Sequence, residues 1–351
     1  MSPGPRRILA EAIRDLPDGL EARPVDPGDV PALTALQRAT DIAGCGHTST
    51  TIEEVRSDLA NPECGWARGS AAVWRGRELV GALLVYDGLA QGRGWEFHVH
   101  AAPSEPRHRA IHDPLIRAGL AEGRSRWWLL DRDLEVADPL AKTGCYVGDG
   151  ALRADLERHG FGEVRRFWRM RIAHSAADSP LRATADPGGP VRPVGIPPGY
   201  RLRSFRDVEP EWRRLHEVVC ASFADHFDHA PVSYEEWRAE HADGIGDHTQ
   251  WVVAEHEDLI VGFALGSNRY ASEAHGYVSS LGVLREHRGL GLARALLESR
   301  FADDAGRGFR ATLLHVDTES ATGATRLYES AGMVADTEIV LLHRPLLAPR
   351  P

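Results

Sequence analysis

Leu281-Gly282-Val283-Leu284-Arg285-Glu286-His287-Arg288-Gly289-Leu290-Gly291-Leu292-Ala293-Arg294 carries more structural instruction than any other stretch of this chain. It closes a strand-like apolar run that begins at Tyr277, passes through a turn with two glycines, and opens an amphipathic helical pattern over Leu290–Asp304. At a helix start the backbone N–H groups lack intrahelical acceptors and point one way, and the helix dipole adds partial positive charge. A phosphate or pyrophosphate fits such a place. Gly289 and Gly291 let the backbone approach that ligand, and Ala293 keeps the first turn small. Arg288 has two uses, pinning the loop or reaching phosphate oxygens. Two other readings compete. A plain helix cap with an incidental glycine pair has the same letters. A dinucleotide loop of the Rossmann type wants a third glycine where Arg294 stands.

A second motif follows the next strand pattern, Ala311–Val316: Ala324-Thr325-Arg326-Leu327-Tyr328-Glu329-Ser330-Ala331-Gly332-Met333. In this order the two motifs resemble those of the GNAT acetyltransferase superfamily. The first answers its R/Q-x-x-G-x-G/A loop with Arg288 to Ala293, and the second its A-x-x-L-Y-E-x-x-G-F signature. The resemblance covers Tyr200 to about Leu346, and the first half in outline. The chain is therefore similar to a tandem GNAT protein, with the architecture of the mycothiol synthases, which carry two such domains. The resemblance implies an α/β fold of two acyl-CoA N-acyltransferase domains, each a mixed, mostly antiparallel sheet flanked by helices. It also implies acetyl-CoA as co-substrate and direct transfer to a small amine in a ternary complex.

Carried over residue by residue, the resemblance gives Leu281 and Val283, around Gly282, backbone contacts to the pantetheine arm. The N–H groups of Gly289, Leu290, Gly291, Leu292, Ala293 and Arg294 would hold the pyrophosphate. Ser320 stands near where many members have an Asn that touches the arm. Acyl transfer needs the amine deprotonated, the thioester oxygen stabilised and the leaving thiolate protonated. A backbone N–H near Val283 is the expected oxyanion partner. Tyr328 suits the last task, because a phenol of pKa ~10 is protonated at neutral pH and can donate. Many members place a carboxylate on the strand before the loop, but Tyr277-Val278-Ser279-Ser280 supplies none. Glu273, His275 and Asp317 are the nearby candidates for a base. His226, Asp228 and His229, between two predicted helices, join Asp317 as candidate acceptor contacts. That cluster lacks a second ligand group elsewhere, so no metal is expected.

Further out, the chain repeats itself. Gly19–Arg23 answers Gly199–Arg203, Val80-Gly81-Ala82 answers Val261-Gly262-Phe263, and Arg107 falls opposite Arg288. The expected organisation is an extension over 1–18, a degenerate domain over 19–173, a Pro/Gly-rich linker over 174–198 and an active domain over 199–351. The first half has no glycine in its counterpart of the loop, Arg107-His108-Arg109-Ala110-Ile111-His112, and carries Leu156 opposite Tyr328. It is expected to be structural or pocket-forming. Gly94–His100 reads as an alternating strand. Strand, two helices, three strands, helix, strand, helix and two strands are predicted for the second half.

Composition agrees with an ordinary globular protein: 42% of the 351 residues are hydrophobic and 26% charged, which excludes a disordered or collagen-like chain. The four cysteines form no C-x-x-C pair, so free thiols are expected. A net charge of −10 disfavours nucleic-acid binding. No run approaches the ~20 apolar residues of a membrane span, and the mixed-charge start MSPGPRRILAEAIRDL lacks a leader's apolar core. The expectation is a cytoplasmic monomer or homodimer. Two alternatives stay open: an acyl-CoA sensor without turnover, and O-acetylation of a hydroxyl metabolite.

Overall fold

The computed structural model describes residues 13–60, 69–90, 93–130, 139–174, 195–224, 232–241, 246–320 and 322–347. The chain divides into two compact units, residues 1–167 with 337–351, and residues 168–336. Unit 1 contains strands β1 (Glu21–Pro24), β2 (Ala71–Arg75), β3 (Glu78–Gly88), β4 (Gly94–Ala101) and β5 (Leu140–Tyr146). Among its helices are α1 (Val30–Cys45), α2 (Ile52–Ala60), α3 (His108–Leu129) and α4 (Gly150–Arg158). Its first four strands pair antiparallel in order, β4 and β5 pair parallel, and α3 crosses between them. Strict alternation makes β4: Trp95, Phe97 and Val99 point into the core, while Glu96, His98 and His100 point to the other face.

Unit 2 repeats the plan. Strands β7 (Tyr200–Ser204), β8 (Val252–His256), β9 (Leu259–Ser267) and β10 (His275–Val283) form an antiparallel meander. The helix α7 (Leu292–Gly306) then leads to β11 (Ala311–Asp317), parallel to β10. Preceding β8 are α5 (Glu209–Phe223) and α6 (Tyr234–Glu240), and α8 (Ala324–Ser330) follows β11. Helix α7 forms because Leu292, Ala295, Leu296, Leu297 and Phe301 recur on one face and bury against the sheet. Each such side chain contributes roughly 1.5–3 kcal/mol on burial.

The last strand of each sheet departs from a simple cut at the linker. The long strand β6 (Gly162–Ala173) gives residues 168–173 to unit 2, where β6 neighbours β11. The final strand β12 (Val334–Pro345) gives residues 337–345 to unit 1, where Ile339 to Pro345 pair antiparallel with Tyr146 to Leu140. Where two final strands were expected, the described residues hold this one. Residues 175–194 of the predicted linker lie outside the described residues.

No described helix is long and apolar enough to cross a membrane. Of the cysteines, Cys45, Cys145 and Cys220 are free thiols, and Cys64 lies outside the described residues.

Candidate active site

Strands β10 and β11 are in register only from His275↔Ala311 to Tyr277↔Leu313, although they run on to Val283 and Asp317. Beyond Leu313 they diverge. The divergence starts next to a bulge: β10 slips by one residue against β9 between Val278 and Ser280, leaving Ser279 as the extra residue. Bulged strands lose regular pairing locally, so the cleft opens where the ladder is weakest.

At the wide end of the cleft β10 gives way to a short turn, Arg285–His287, and then to α7. Gly289 and Gly291 have φ of +76° and +82°, a region that L side chains enter at a cost of about 1–2 kcal/mol. Gly291 is the N-cap of α7 and makes no side-chain capping bond, so the first N–H groups of the helix face outward without a side-chain acceptor. Gly289, Leu290, Gly291 and Arg294 are exposed, Ala293 is half-buried, and Leu292 is sunk in the core. The Arg294 guanidinium is engaged by Glu298 at 2.7 Å. Of the two uses open to Arg288, the structure shows the pinning one. Its Nε donates to Val283 O at 3.0 Å and its Nη2 to Ser222 O at 3.2 Å, tying the loop to the end of β10 and to α5. Gly282 packs so tightly that a Cβ would come within 2.5 Å of Phe263.

Tyr328 stands on α8 with Val278, Leu297, Phe301, Leu314, Val316 and Met333. Burial, reinforced by Tyr277, pushes its phenol up to about 12. Ser320 lies in the turn after β11, its hydroxyl 2.9 Å from that of Thr322. Asp317 accepts the Glu319 N–H at 2.8 Å and so shapes that same turn. His275 begins β10, held below the usual imidazole range by burial and then by Arg171, Arg169 and Arg310. Glu273 ends the short turn before it. His226, Asp228 and His229 lie outside the described residues.

One pair escaped the sequence reading. The Tyr277 hydroxyl lies 3.0 Å from His315 Nδ1. Because Tyr277 is in register with Leu313, His315 comes two residues further along β11 and projects from the same face. Burial, together with Arg269 and Arg169, drops the His315 imidazole to about 3. Only the register, which the letters do not carry, brings these two residues together.

In unit 1 the pairing of β4 with β5 is likewise short, but β4 pairs with β3 without the bulge seen in β10. The parallel pairing ends at Glu96↔Lys142, and beyond it the His98 ring lies 3.7 Å from where a Cβ on Gly144 would stand. Ahead of α3, the buried Glu105 carboxylate accepts the Arg107 N–H at 3.0 Å and pairs with the Arg75 guanidinium. This helix start thus has an acid of its own. His112, opposite Ala293, is buried against Asp155 at 2.8 Å, and Leu156 is fully buried.

Residues 212–333 match the family model described as Acetyltransferase (GNAT) family. The mycothiol acetyltransferase of Thermobispora bispora is 33% identical over 53% of this chain, an alignment spanning 60% of that protein. That of Kocuria rhizophila is 26% identical over 87% of this chain and 92% of its own length. Among solved structures, a GCN5-related N-acetyltransferase from Sphaerobacter thermophilus superposes with a TM-score of 0.76 at 26% identity, covering 95% of this chain and 98% of that one. Residues 212–333 thus match a GNAT acetyltransferase domain, and the chain as a whole, with both units built on the same strand plan, is similar to acetyltransferases of that tandem fold.

Proposed function

We propose that the chain is an acetyl-CoA-dependent N-acetyltransferase that works through unit 2 on a small amine, by direct transfer within a ternary complex. The observation that carries this reading is the joining of a splayed β10–β11 cleft to a glycine-capped α7 whose first N–H groups lack a side-chain acceptor. In this reading the amides of residues 289–294 hold the pyrophosphate, and Arg288 keeps them in place. Leu281 and Val283 offer backbone groups to the pantetheine arm, and Ser320 lies beside it. Tyr328, neutral at working pH, donates its proton to the departing thiolate. His226, Asp228, His229 and Asp317 remain the proposed acceptor contacts. The printed names of the relatives make a thiol-precursor amine one class to test.

Titration calorimetry with acetyl-CoA tests the reading: one site per chain is expected, lost in Arg288→Glu and Gly291→Trp. Binding without thiol release on any amine or alcohol would favour a sensor instead. The absence of a carboxylate on β10 at Tyr277–Ser280 gives that second reading its footing. Release with alcohols alone would make the protein an O-acetyltransferase.

A further inference from the structure

The reading above leaves the acceptor's proton unassigned. β10 brings no carboxylate to the cleft, and Asp317, which accepts the Glu319 N–H, lies in the turn after β11 at the other end of the cleft from Tyr277. What the closed end of the cleft does hold is Tyr277, the last residue of β10 in register with β11, and His315 beside it. Their rings meet edge to face, with centroids 5.7 Å apart. Tyr277 packs with Tyr270 and Leu313 and not in the cluster of Tyr328, yet the two phenols still influence each other electrostatically. The two hydroxyl-bearing rings therefore approach the cleft from opposite faces of the sheet. A reaction that takes a proton on one side and returns one on the other needs that arrangement.

We propose that Tyr277 and His315 are the proton-withdrawing pair of this site. This rests on the acetyltransferase reading. As the C–N bond forms, the Tyr277 oxygen takes the proton leaving the amine nitrogen, and the Tyr277 hydroxyl proton passes to His315 Nδ1. As Nδ1 receives it, His315 releases a proton from Nε2 to water. The C–S bond breaks with its electron pair on sulfur, and Tyr328 supplies the proton for that thiolate and regains one from solvent. Protons and charge balance without a further reactant.

The groups facing His315 keep it neutral, so in the proposed step it passes its Nε2 proton on as Nδ1 receives one, and no imidazolium accumulates. Tyr277 comes from β10, Arg269 from the connection between β9 and β10, Arg169 from β6 and Asp336 from the start of β12. Arg169 is fixed by Asp336 through two bonds of 2.9 and 3.0 Å. Arg269 stands 5.5 Å from the centroids of both Tyr270 and Tyr277. Beside these cations the half-buried imidazole is neutral when the acceptor arrives, and in the proposed step it is the Nε2–H tautomer, with the Tyr277 hydroxyl donating to Nδ1. An amine bonded to the thioester carbon is far more acidic than a free ammonium, so even a weak base serves at that moment.

The experiment compares the full chain with Tyr277→Phe, His315→Gln and the double variant. It follows acetyl-CoA Kd by calorimetry and thiol release with glucosamine, cadaverine and glycylglycine. Each single variant is expected to keep Kd within about twofold and lose about 10²–10³ in kcat, with the double variant no worse than the singles. The deficit is expected to shrink as pH rises towards 10, where hydroxide takes the proton that the variant no longer withdraws. A merely structural role would not produce that rescue. Variants that keep kcat within about threefold, or that lose acetyl-CoA binding, overturn the pair and leave the acetyltransferase reading standing. A wild-type chain that binds no acetyl-CoA, or turns over none of the amines, overturns both.

Discussion

Tyr328 is the side chain whose chemistry depends most on its surroundings. A phenol that donates its proton is useful only while neutral, and burial holds it so well past its ordinary range, up to about 12. Turnover should therefore show no alkaline loss through pH 10 from this group, whereas a solvent-exposed tyrosine would be half ionised there. Tyr328→Phe is expected to lower kcat by about 10²–10⁴ while leaving acetyl-CoA affinity unchanged, as measured by thiol release and calorimetry. The glycine turn and helix start over Arg288–Ala293 were legible because the residues that form them are neighbours in sequence, whereas the apolar partners of Tyr328 on β10, α7 and β11 were not. The choice between the two uses of Arg288 was not legible, since Val283 O and Ser222 O approach it only in the fold. The Tyr277–His315 contact, 38 residues apart, was hidden for the same reason.

Among elements, β10 is held from below as well as opened from above. Gly276 faces Asp304 of α7, whose carboxylate pairs with the fully buried Arg300 and accepts the Thr312 hydroxyl at 2.5 Å. A Cβ at Gly276 would run into that carboxylate. Gly276→Ala is expected to cost about 1–3 kcal/mol in urea denaturation, the range for overpacking. Arg300→Met should cost about 3–5 kcal/mol, because it strands Asp304 in the core. Most elements of the second half were readable from periodicity: α7 and β11 lie within two residues of the predicted Leu290–Asp304 and Ala311–Val316. Two strands were expected at the end of the second half, whereas β12 runs as one from Val334. Its first residues are exposed or half-buried, so no alternation of apolar and polar letters marks them.

For the whole molecule, the duplication was visible in sequence, but the allocation of the last strands was not. Both β6 and β12 follow a helix in their own half of the sequence, and nothing in their composition says which sheet will take them. Acetyl-CoA is expected to bind once per chain, since Glu105 already occupies the helix start in unit 1. Calorimetry reads that stoichiometry directly. Removing residues 337–351 should destabilise unit 1 and not merely trim a tail, seen as a lower melting temperature and earlier proteolysis within 13–130.

That allocation also sets an order for folding in the cell. A chain grows on the ribosome from its first residue, and at about 5–20 residues per second the stretch 168–336 takes roughly ten to thirty seconds to emerge. Through that interval β5 waits with an open edge, because its partner at Ile339–Pro345 is made only after that stretch. Unit 1, begun first, is therefore completed only after unit 2 has been made. A gene cut at the linker to discard the first half would also lose Trp168–Ala173, and with them a strand of the sheet that keeps the motifs.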